Sequence, residues 1–450
     1  MNSPKSTLNK RIASTTATVG VIGLGYVGLP LSVAFTEAGF RVRGFDIDDH
    51  RVSRLYDADS YVDDLSDARI QDSLTQGFQP QTEPEVVRGC DIYVLAVPTG
   101  MDGAEPDMSA VKAAARTVAD QSGAKETLVI VTSTVYPGAT REIVAPIVTK
   151  RRRNDAPTHF AMVPERINPG SKYNLKDIPL VVGANTNSGR SAASKLFDTI
   201  VNDTHPVGTT ETAELTKTLE NTYRMVNIAL INELVNLTER LEADIWEAIE
   251  AAATKPFGFQ PFRPGPGVGG HCIPVDPQFL TWRAEDLGTE VSLVNDAHQI
   301  NDKMPTLVAN RFETLLEARG VDIADATVIA LGAAYKPNVG DIRNSPALRV
   351  IGELPSSTDV TVVDPHSEPE NTVQDFVNTI QSTNIGSADA VLLLVNHDAF
   401  DLEVIGKKAA FIFDTKNAMP DDIEATVVTL GSLDKSGEPR QVPSNIAEID

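Results

Sequence analysis

Apolar residues fall along this chain in two kinds of run. Short, nearly unbroken apolar runs occur at residues 19–22, 92–97, 128–132, 160–163 and 180–182. Runs of that length, unalternated and bounded by turn chemistry, predict strands buried on both faces. Between the first of them and the next predicted strand, residues 29–38 read as a helix that stops at Gly39, and residues 41–45 form a strand ending at Asp46. That is a βαβ unit. From about Thr210 the texture changes. Residues 211–243 hold neither proline nor glycine and carry Leu215, Leu219, Val226, Leu230 and Leu234 at helical spacing, which predicts one long helix. Residues 256–277 are then dense in proline and glycine, the mark of a shaped loop, and helical texture resumes after Gln278. A second set of short apolar runs follows at 327–331, 360–363, 390–395 and 410–413. The pattern predicts an α/β chain: two Rossmann-like, doubly wound domains joined by a long central helix and a helical middle domain. The expected boundaries are 1–205, 206–304 and 305–450, with the polar stretch after Lys435 fraying.

Composition narrows the class. At 450 residues the chain exceeds one ordinary core, and its 41 % hydrophobic content is that of a globular protein. A formal net charge of -23 disfavours nucleic acid as a partner, because such binding rests on basic patches that neutralise phosphates. The acidity reads either as an ordinary solvated surface or as adaptation to a high-salt cytoplasm, an acidic proteome. The two cysteines, Cys90 and Cys272, make neither a disulfide framework nor a zinc spacing, so no metal is expected. Residues 1–18 lack the apolar core of a signal peptide, and no apolar run approaches the ~20 residues of a membrane span. A cytoplasmic location with no membrane partner is the expectation.

The first site candidate is Gly23-Leu24-Gly25-Tyr26-Val27-Gly28, lying between strand and helix, with Asp46 closing the following strand. The glycines permit a tight turn and close approach to a pyrophosphate, which the helix N-terminus attracts. Asp46 would accept hydrogen bonds from ribose hydroxyls and repel a 2′-phosphate, favouring NAD; Arg51 nearby is the residue that would admit the phosphate instead. The plainer alternative is a tight turn without a ligand. Val97-Pro98-Thr99 ends the strand at 92–97, where a dinucleotide would pass.

The second candidate is Gly265-Pro266-Gly267-Val268-Gly269-Gly270-His271-Cys272-Ile273-Pro274-Val275-Asp276-Pro277. A lone cysteine is more often an inert core residue. Here the glycines expose Cys272 at a turn, and Asp276 follows four residues later, which favours a nucleophile. His271 reads as structural.

At these residues the chain resembles the UDP-glucose/GDP-mannose dehydrogenase superfamily, over nearly its whole length. The resemblance rests on the glycine turn and the cysteine loop together with Val97-Pro98-Thr99, Ser133-Thr134-Val135-Tyr136-Pro137-Gly138, Pro164-Glu165-Arg166 and Lys217-Thr218-Leu219-Glu220-Asn221. It continues through Tyr335-Lys336-Pro337-Asn338, Asp341-Ile342-Arg343, Asn396-His397 and Asp414-Thr415-Lys416-Asn417. What it implies is a four-electron oxidation of a sugar C6 alcohol with NAD, through a thiohemiacetal and a thioester on Cys272. By the same resemblance Lys217 and Asn221 steady the oxyanion, Glu165 assists proton transfer in hydrolysis, Asp276 holds a water or base, and Thr134 orients that water. Lys336 matches a substrate position and Arg343 a cofactor position. Each has a plain alternative: a solvated helix face for Lys217 and Asn221, a surface acid for Glu165, a turn residue for Asp276.

Two departures point away from UDP-glucose. Val275 stands where the UDP-glucose enzymes usually carry lysine, and Pro169 where they carry a second acid. Residues 255–267 and Glu220 to Asn227 are most similar to the UDP-N-acetylglucosamine 6-dehydrogenase branch; UDP-N-acetylmannosamine dehydrogenase and UDP-glucose 6-dehydrogenase are the alternatives. Arg166, Arg224, Arg263 and Gly269 join Glu165, Lys217, Asn221 and Lys336 as candidate substrate residues, with surface ion pairing the alternative for Arg224 and Arg263. A homodimer on the long helix, or a larger homo-oligomer, is implied. A simple two-electron dehydrogenase has no use for Cys272, and a regulatory protein that had lost catalysis would not need the full set.

Overall fold

The computed structural model describes residues 7–62, 65–151, 156–166, 174–367, 375–377 and 384–432. They form two compact units, Met1–Asn221 with Val275–Glu290, and Thr222–Pro274 with Val291–Asp450.

The first unit is built on an eight-stranded sheet. Its strands in chain order are β1 (Thr18–Ile22), β2 (Arg41–Phe45), β3 (Gln79–Gln81) and β4 (Ile92–Leu95), then a two-stranded hairpin of β5 (Gly100–Asp102) and β6 (Glu105–Asp107) set apart from the sheet. β7 (Thr127–Val131), β8 (Thr158–Met162), β9 (Leu180–Ala184) and β10 (Thr204–Pro206) complete it. The spatial order is β10-β9-β8-β7-β4-β1-β2-β3, and only the β8–β9 pair is antiparallel. β1, β4, β7 and β9 are buried along their whole length, as the unbroken apolar runs predict. Because β1 lies between β2 and β4, the loops after it reach the crevice where doubly wound sheets bind ligands.

The second unit carries a six-stranded, wholly parallel sheet. Its strands are β11 (Thr327–Leu331), β12 (Asp359–Val363), β13 (Asp375–Val377), β14 (Ala390–Leu393), β15 (Phe411–Asp414) and β16 (Thr426–Thr429), ordered β13-β12-β11-β14-β15-β16. The 26-residue helix Ser292–Glu317 covers it, with Phe312 stacked 6.1 Å from Phe413.

The long helix predicted from sequence runs Thr210–Arg240. It ends earlier than residue 243: Glu242 sits at φ 53°, and the Asp244 side chain accepts from the backbone of Trp246 and Glu247 to open a new helix, Ile245–Ala253. Trp246 Nε1 donates to Leu430 O at 2.9 Å and secures that helix within the second unit. Leu215, Leu219 and Leu230 are 42 %, 57 % and 52 % exposed, so the apolar periodicity that revealed the helix is largely a solvent-facing stripe. The segment at 256–275 is without helix or strand, as its prolines and glycines predict. The strands missed by the apolar pattern are the short ones at edges, β3, β10, β13 and β16, and the hairpin. Pro80 and Pro206 fit β3 and β10 because an edge strand tolerates a residue that cannot donate.

Candidate active site

The first unit places the glycine turn at the carboxyl end of β1. Gly23 has φ +91°, and a Cβ there would lie 2.4 Å from Ala96 O; one on Gly28 would lie 1.8 Å from Gly23 O. Both glycines are therefore demanded by the turn itself. Gly25 differs: a Cβ there would meet nothing nearer than Arg51 Nη1 at 3.9 Å. Its glycine answers no crowding within the chain, which fits a backbone kept bare for a pyrophosphate. Asp46 is 4 % exposed; it accepts from Leu24 N at 2.7 Å through Oδ2 and from Asp48 N at 3.0 Å through Oδ1. The carboxylate thus holds the glycine turn and retains lone pairs for hydroxyl donors. Arg51 is engaged by Asp46 at 3.6 Å and Asp48 at 3.5 Å. Tyr26 is exposed and Val27 half-buried at the turn. The strand ends beside it are zipped together: Ser133 Oγ donates to Val97 O at 2.7 Å, and Thr99 Oγ1 donates to Thr134 O at 2.7 Å. These residues fit NAD.

The same unit gathers Lys217, Asn221 and Asp276. Lys217 and Asn221, four residues apart, share one face of the long helix, and each is 9 % exposed. They are not a solvated face. Asn221 Nδ2 donates to Asp276 Oδ2 at 2.5 Å. Asp276 is 2 % exposed and opens the helix Asp276–Asp286, with Pro277 in its first turn. Burial pushes its carboxyl up to about 6, opposed by the Lys217 charge and the Asn221 hydrogen bond. Burial wins because one cation and one amide offset only part of the lost hydration.

Glu165, also in this unit, is half-buried, and its Oε1 accepts from Arg166 N at 2.7 Å. Arg166 pairs with Glu220 at 2.6 Å and donates to Pro179 O. Pro169 and Gly170 lie outside the described residues, as does the stretch after Lys435.

The second unit holds the cysteine loop. Cys90, in the first unit, is buried; Cys272 is exposed, and neither forms a disulfide. A Cβ on Gly269 would lie 2.6 Å from Pro346 Cδ and 2.7 Å from Asn344 O; one on Gly270, at φ +81°, would strike the Tyr335 ring. Gly270 N donates to Arg343 O at 3.0 Å, and Asn344 Nδ2 donates back to Gly270 O at 3.2 Å. The cysteine loop is therefore docked on the segment carrying Lys336 and Arg343, which the sequence placed more than sixty residues away. Lys336 Nζ lies 5.6 Å from the Tyr335 ring centre, and Arg343 forms a bidentate pair with Asp341 at 2.6 and 2.9 Å. Burial, then the Arg343 charge, lowers the His271 pKa, so its imidazole is neutral, consistent with a structural part. Arg224 is exposed; Arg263 pairs with Glu250 at 2.5 Å and lies over the Trp246 ring at 5.8 Å. For Arg263 the ion-pair alternative is the one the structure displays.

Comparison with known proteins settles the family. Residues 17–201 match the NAD binding domain of the UDP-glucose/GDP-mannose dehydrogenase family, 211–303 its central domain and 329–421 its UDP binding domain. A UDP-N-acetyl-D-glucosamine 6-dehydrogenase of Pseudomonas aeruginosa is 32 % identical over 419 residues, 90 % of this chain and 97 % of that one. The chain belongs to the UDP-glucose/GDP-mannose dehydrogenase family. It is an oxidoreductase of UDP-sugars with NAD as its cofactor. Other members resemble it as closely. A UDP-N-acetyl-D-mannosamine dehydrogenase of Pyrococcus horikoshii is 32 % identical over 410 residues, 89 % of this chain and 95 % of that one. A solved structure of a UDP-D-ManNAc dehydrogenase from the same organism superposes with a TM-score of 0.84 at 30 % identity, covering 93 % of this chain and all of that one.

Within this member of the family, three groups of residues have a part that the sequence did not assign. Asn232, 1 % exposed, accepts from Gly265 N at 3.1 Å and donates to Asn301 Oδ1 at 2.9 Å; Asn301 donates in turn to Met225 O. This buried amide chain ties the root of the cysteine loop to two helices. Glu214, fully buried, accepts from Gly138 N and Thr140 N. His397, also fully buried, accepts at Nδ1 from Asn338 N at 3.0 Å, so its Nε2 carries the proton and donates to Asp364 at 3.1 Å. A polar residue at a buried position of an amphipathic helix was the available signal for Glu214 and Asn232, but the partners of all three groups are distant in sequence.

Proposed function

We propose that this chain oxidises the C6 alcohol of a UDP-N-acetylhexosamine, foremost UDP-N-acetylglucosamine, to the uronic acid by a four-electron route through Cys272. The observation that carries the reading is the buried Lys217–Asn221–Asp276 group, whose Asp276 opens a helix four residues after the cysteine. Held at the glycine turn and Asp46, NAD would supply the hydride acceptor for both oxidations. Cys272 Sγ loses its proton and adds to the C6 aldehyde carbon, so that a C–S bond forms as the carbonyl π bond breaks. The Lys217 ammonium and the Asn221 amide serve the oxyanion. One hydrogen of the Asn221 amide is committed to Asp276, and the other remains for that purpose. After the second oxidation the thioester is hydrolysed. Water, oriented by Thr134 and relieved of a proton by Glu165 or Asp276, forms the new C–O bond as the C–S bond breaks. The balance is one alcohol, two NAD+ and one water to one carboxylate, two NADH and three protons.

The N-acetylhexosamine assignment is supported by Val275, by the 255–267 segment and by relatives named for such sugars. The mannosamine enzyme's structural likeness makes UDP-N-acetylmannosamine the second candidate. Gly23, Gly25, Tyr26, Val27, Gly28, Asp46, Arg51, Thr99, Thr134 and Arg343 serve the cofactor; Glu165, Arg166, Lys217, Asn221, Lys336 and Gly269 serve the substrate. Arg224 and Arg263 are kept as candidates for the diphosphate. The exposed Leu215, Leu219, Tyr223, Leu230 and Leu237 along one helix, with Leu241 just past its end, support a homodimer. No helix among the described residues is long and apolar enough to cross a membrane, which is consistent with a cytoplasmic location.

The test is kcat/KM against UDP-N-acetylglucosamine, UDP-N-acetylmannosamine, UDP-glucose and GDP-mannose, in low and in molar salt. A preference of at least ~10-fold for UDP-N-acetylglucosamine is expected. A comparable preference for UDP-glucose would overturn the substrate assignment.

A further inference from the structure

Glu214 sits one helical turn before Lys217 on the long helix and is fully buried. A carboxylate costs several kcal/mol to bury unless it is fully hydrogen-bonded, and an apolar side chain would fill the place more simply. Glu214 spends both oxygens on backbone amides of one turn: Oε2 accepts from Gly138 N at 2.6 Å and Oε1 from Thr140 N at 2.9 Å. Those amides end the segment that begins with Ser133 and Thr134 and open the helical run from Thr140 to Arg151. They have no partner within that helix, so one carboxylate satisfies both.

The turn is held from two further sides. At its start, Thr99 Oγ1 donates to Thr134 O at 2.7 Å. Just past its end, Glu142 pairs with Arg283 at 2.5 Å, while Tyr136 packs on Trp282 with ring centres 4.7 Å apart and Arg283 lies over the Tyr136 ring at 5.4 Å. Arg283 and Trp282 belong to the helix that Asp276 opens. Thus Glu214 joins the Thr134 turn to the helix bearing Lys217 and Asn221, and Arg283 joins it to the helix bearing Asp276. Gly138 sits at φ +110°, a backbone conformation that residues with a side chain rarely adopt, so the turn depends on glycine there.

We infer that Glu214 is a positioning residue for thioester hydrolysis, setting Thr134 against the helix that carries Lys217 and Asn221. The inference rests on the four-electron reading above. In that step water adds to the thioester carbonyl and the C–S bond breaks. Cys272 departs as thiolate and recovers one proton of the water, and the carboxylic acid releases the other. The two oxidations consume no water, so a displaced Thr134 hydroxyl falls first on the hydrolysis.

The test is Glu214→Gln, which keeps the size but leaves one oxygen for two amides, with Glu214→Asp as a charged, shorter companion. NADH is followed in rapid mixing, and the mass of the intact protein is read during turnover. The expected result is a fast release of two NADH per active site, then steady turnover at least ~10-fold slower than wild type. Acyl-Cys272 should accumulate, KM for NAD and for the UDP-sugar should stay within about threefold of wild type, and the Asp variant should be less affected. Should the Gln variant not fold, the Asp variant must show the same accumulation. Equal slowing of the fast release and of steady turnover, or wild-type turnover without acyl-Cys272, would overturn the inference. If the wild-type enzyme itself yields one NADH per sugar, it is the four-electron reading that fails.

Discussion

Asp276 and Cys272, four residues apart, meet opposite surroundings: the acid is buried and the thiol exposed. Burial holds the Asp276 carboxyl at about 6, above its ordinary value of 3.8. Only the ionised form can take a proton from water, so the rate rises with pH through about 6, and Asp276→Asn should remove that limb while lowering kcat at least ~100-fold. The same shift has a cost in stability. A carboxyl whose folded pKa is raised contributes stability that is fully present below 3.8 and lost as pH rises through 6. Asp276→Asn should therefore melt higher than wild type at pH 7.5, and the gain should vanish below pH 4; an unchanged melting difference across that range would count against the burial argument. Cys272 is exposed in its glycine loop, and Cys272→Ala should abolish acid production yet leave NAD affinity, read by titration, unchanged. Cys272, Lys217 and Asn221 were legible because their spacing matches a family pattern. The Asn221–Asp276 contact was not, since 55 residues separate its ends. Nor could the sequence say that Lys217 is buried, because Leu215 and Leu219 on either side of it are exposed.

Among the elements, the glycine turn offers a paired test. Gly28→Ala would press a methyl to 1.8 Å from Gly23 O, so it should lower Tm and NAD affinity together. Gly25→Ala has room within the chain, so Tm should hold while the dissociation constant for NAD rises ~10-fold or more. If both variants melt alike and bind NAD alike, Gly25 is merely a turn residue. The long helix shows what periodicity can and cannot tell. Leu215, Leu219 and Leu230 revealed the helix, but a 3.6-residue repeat is blind to which partner the stripe meets. Leu219→Glu with Leu230→Glu should shift the sedimenting species to a monomer. Strands β1, β4, β7 and β11 were readable as apolar runs because they are central. β3 and β10, at opposite edges of the first sheet, were not, since Gln79-Pro80-Gln81 and Thr204-His205-Pro206 carry little apolar signal.

At the scale of the molecule, two Rossmann-like halves each end their second strand on an aspartate, with different outcomes. Asp46 takes two backbone amides. Asp364, fully buried, takes amides from Ala333, Ala334, His366 and Ser367 as well as the His397 imidazole. Those donors hold its carboxyl well below the usual range despite its burial and use up its acceptor capacity. The first acid thus keeps acceptor capacity beyond its own loop, while the second is spent on its own loops. Sequence showed both aspartates but not this division, which depends on His397 reaching across 33 residues. The charge of -23 acts on the whole molecule too. Self-repulsion weakens as the Debye length falls from about 30 Å at ~0.01 M salt to about 8 Å at ~0.15 M, so Tm should rise over that interval. A further rise into molar salt would favour the high-salt explanation of the acidity over an ordinary solvated surface. Four-electron chemistry through Cys272 is read from the NADH formed per UDP-N-acetylglucosamine consumed, carried to exhaustion of the sugar. Two NADH are expected for each uronic acid produced; one NADH, with an aldehyde as product, would rule out the thioester route.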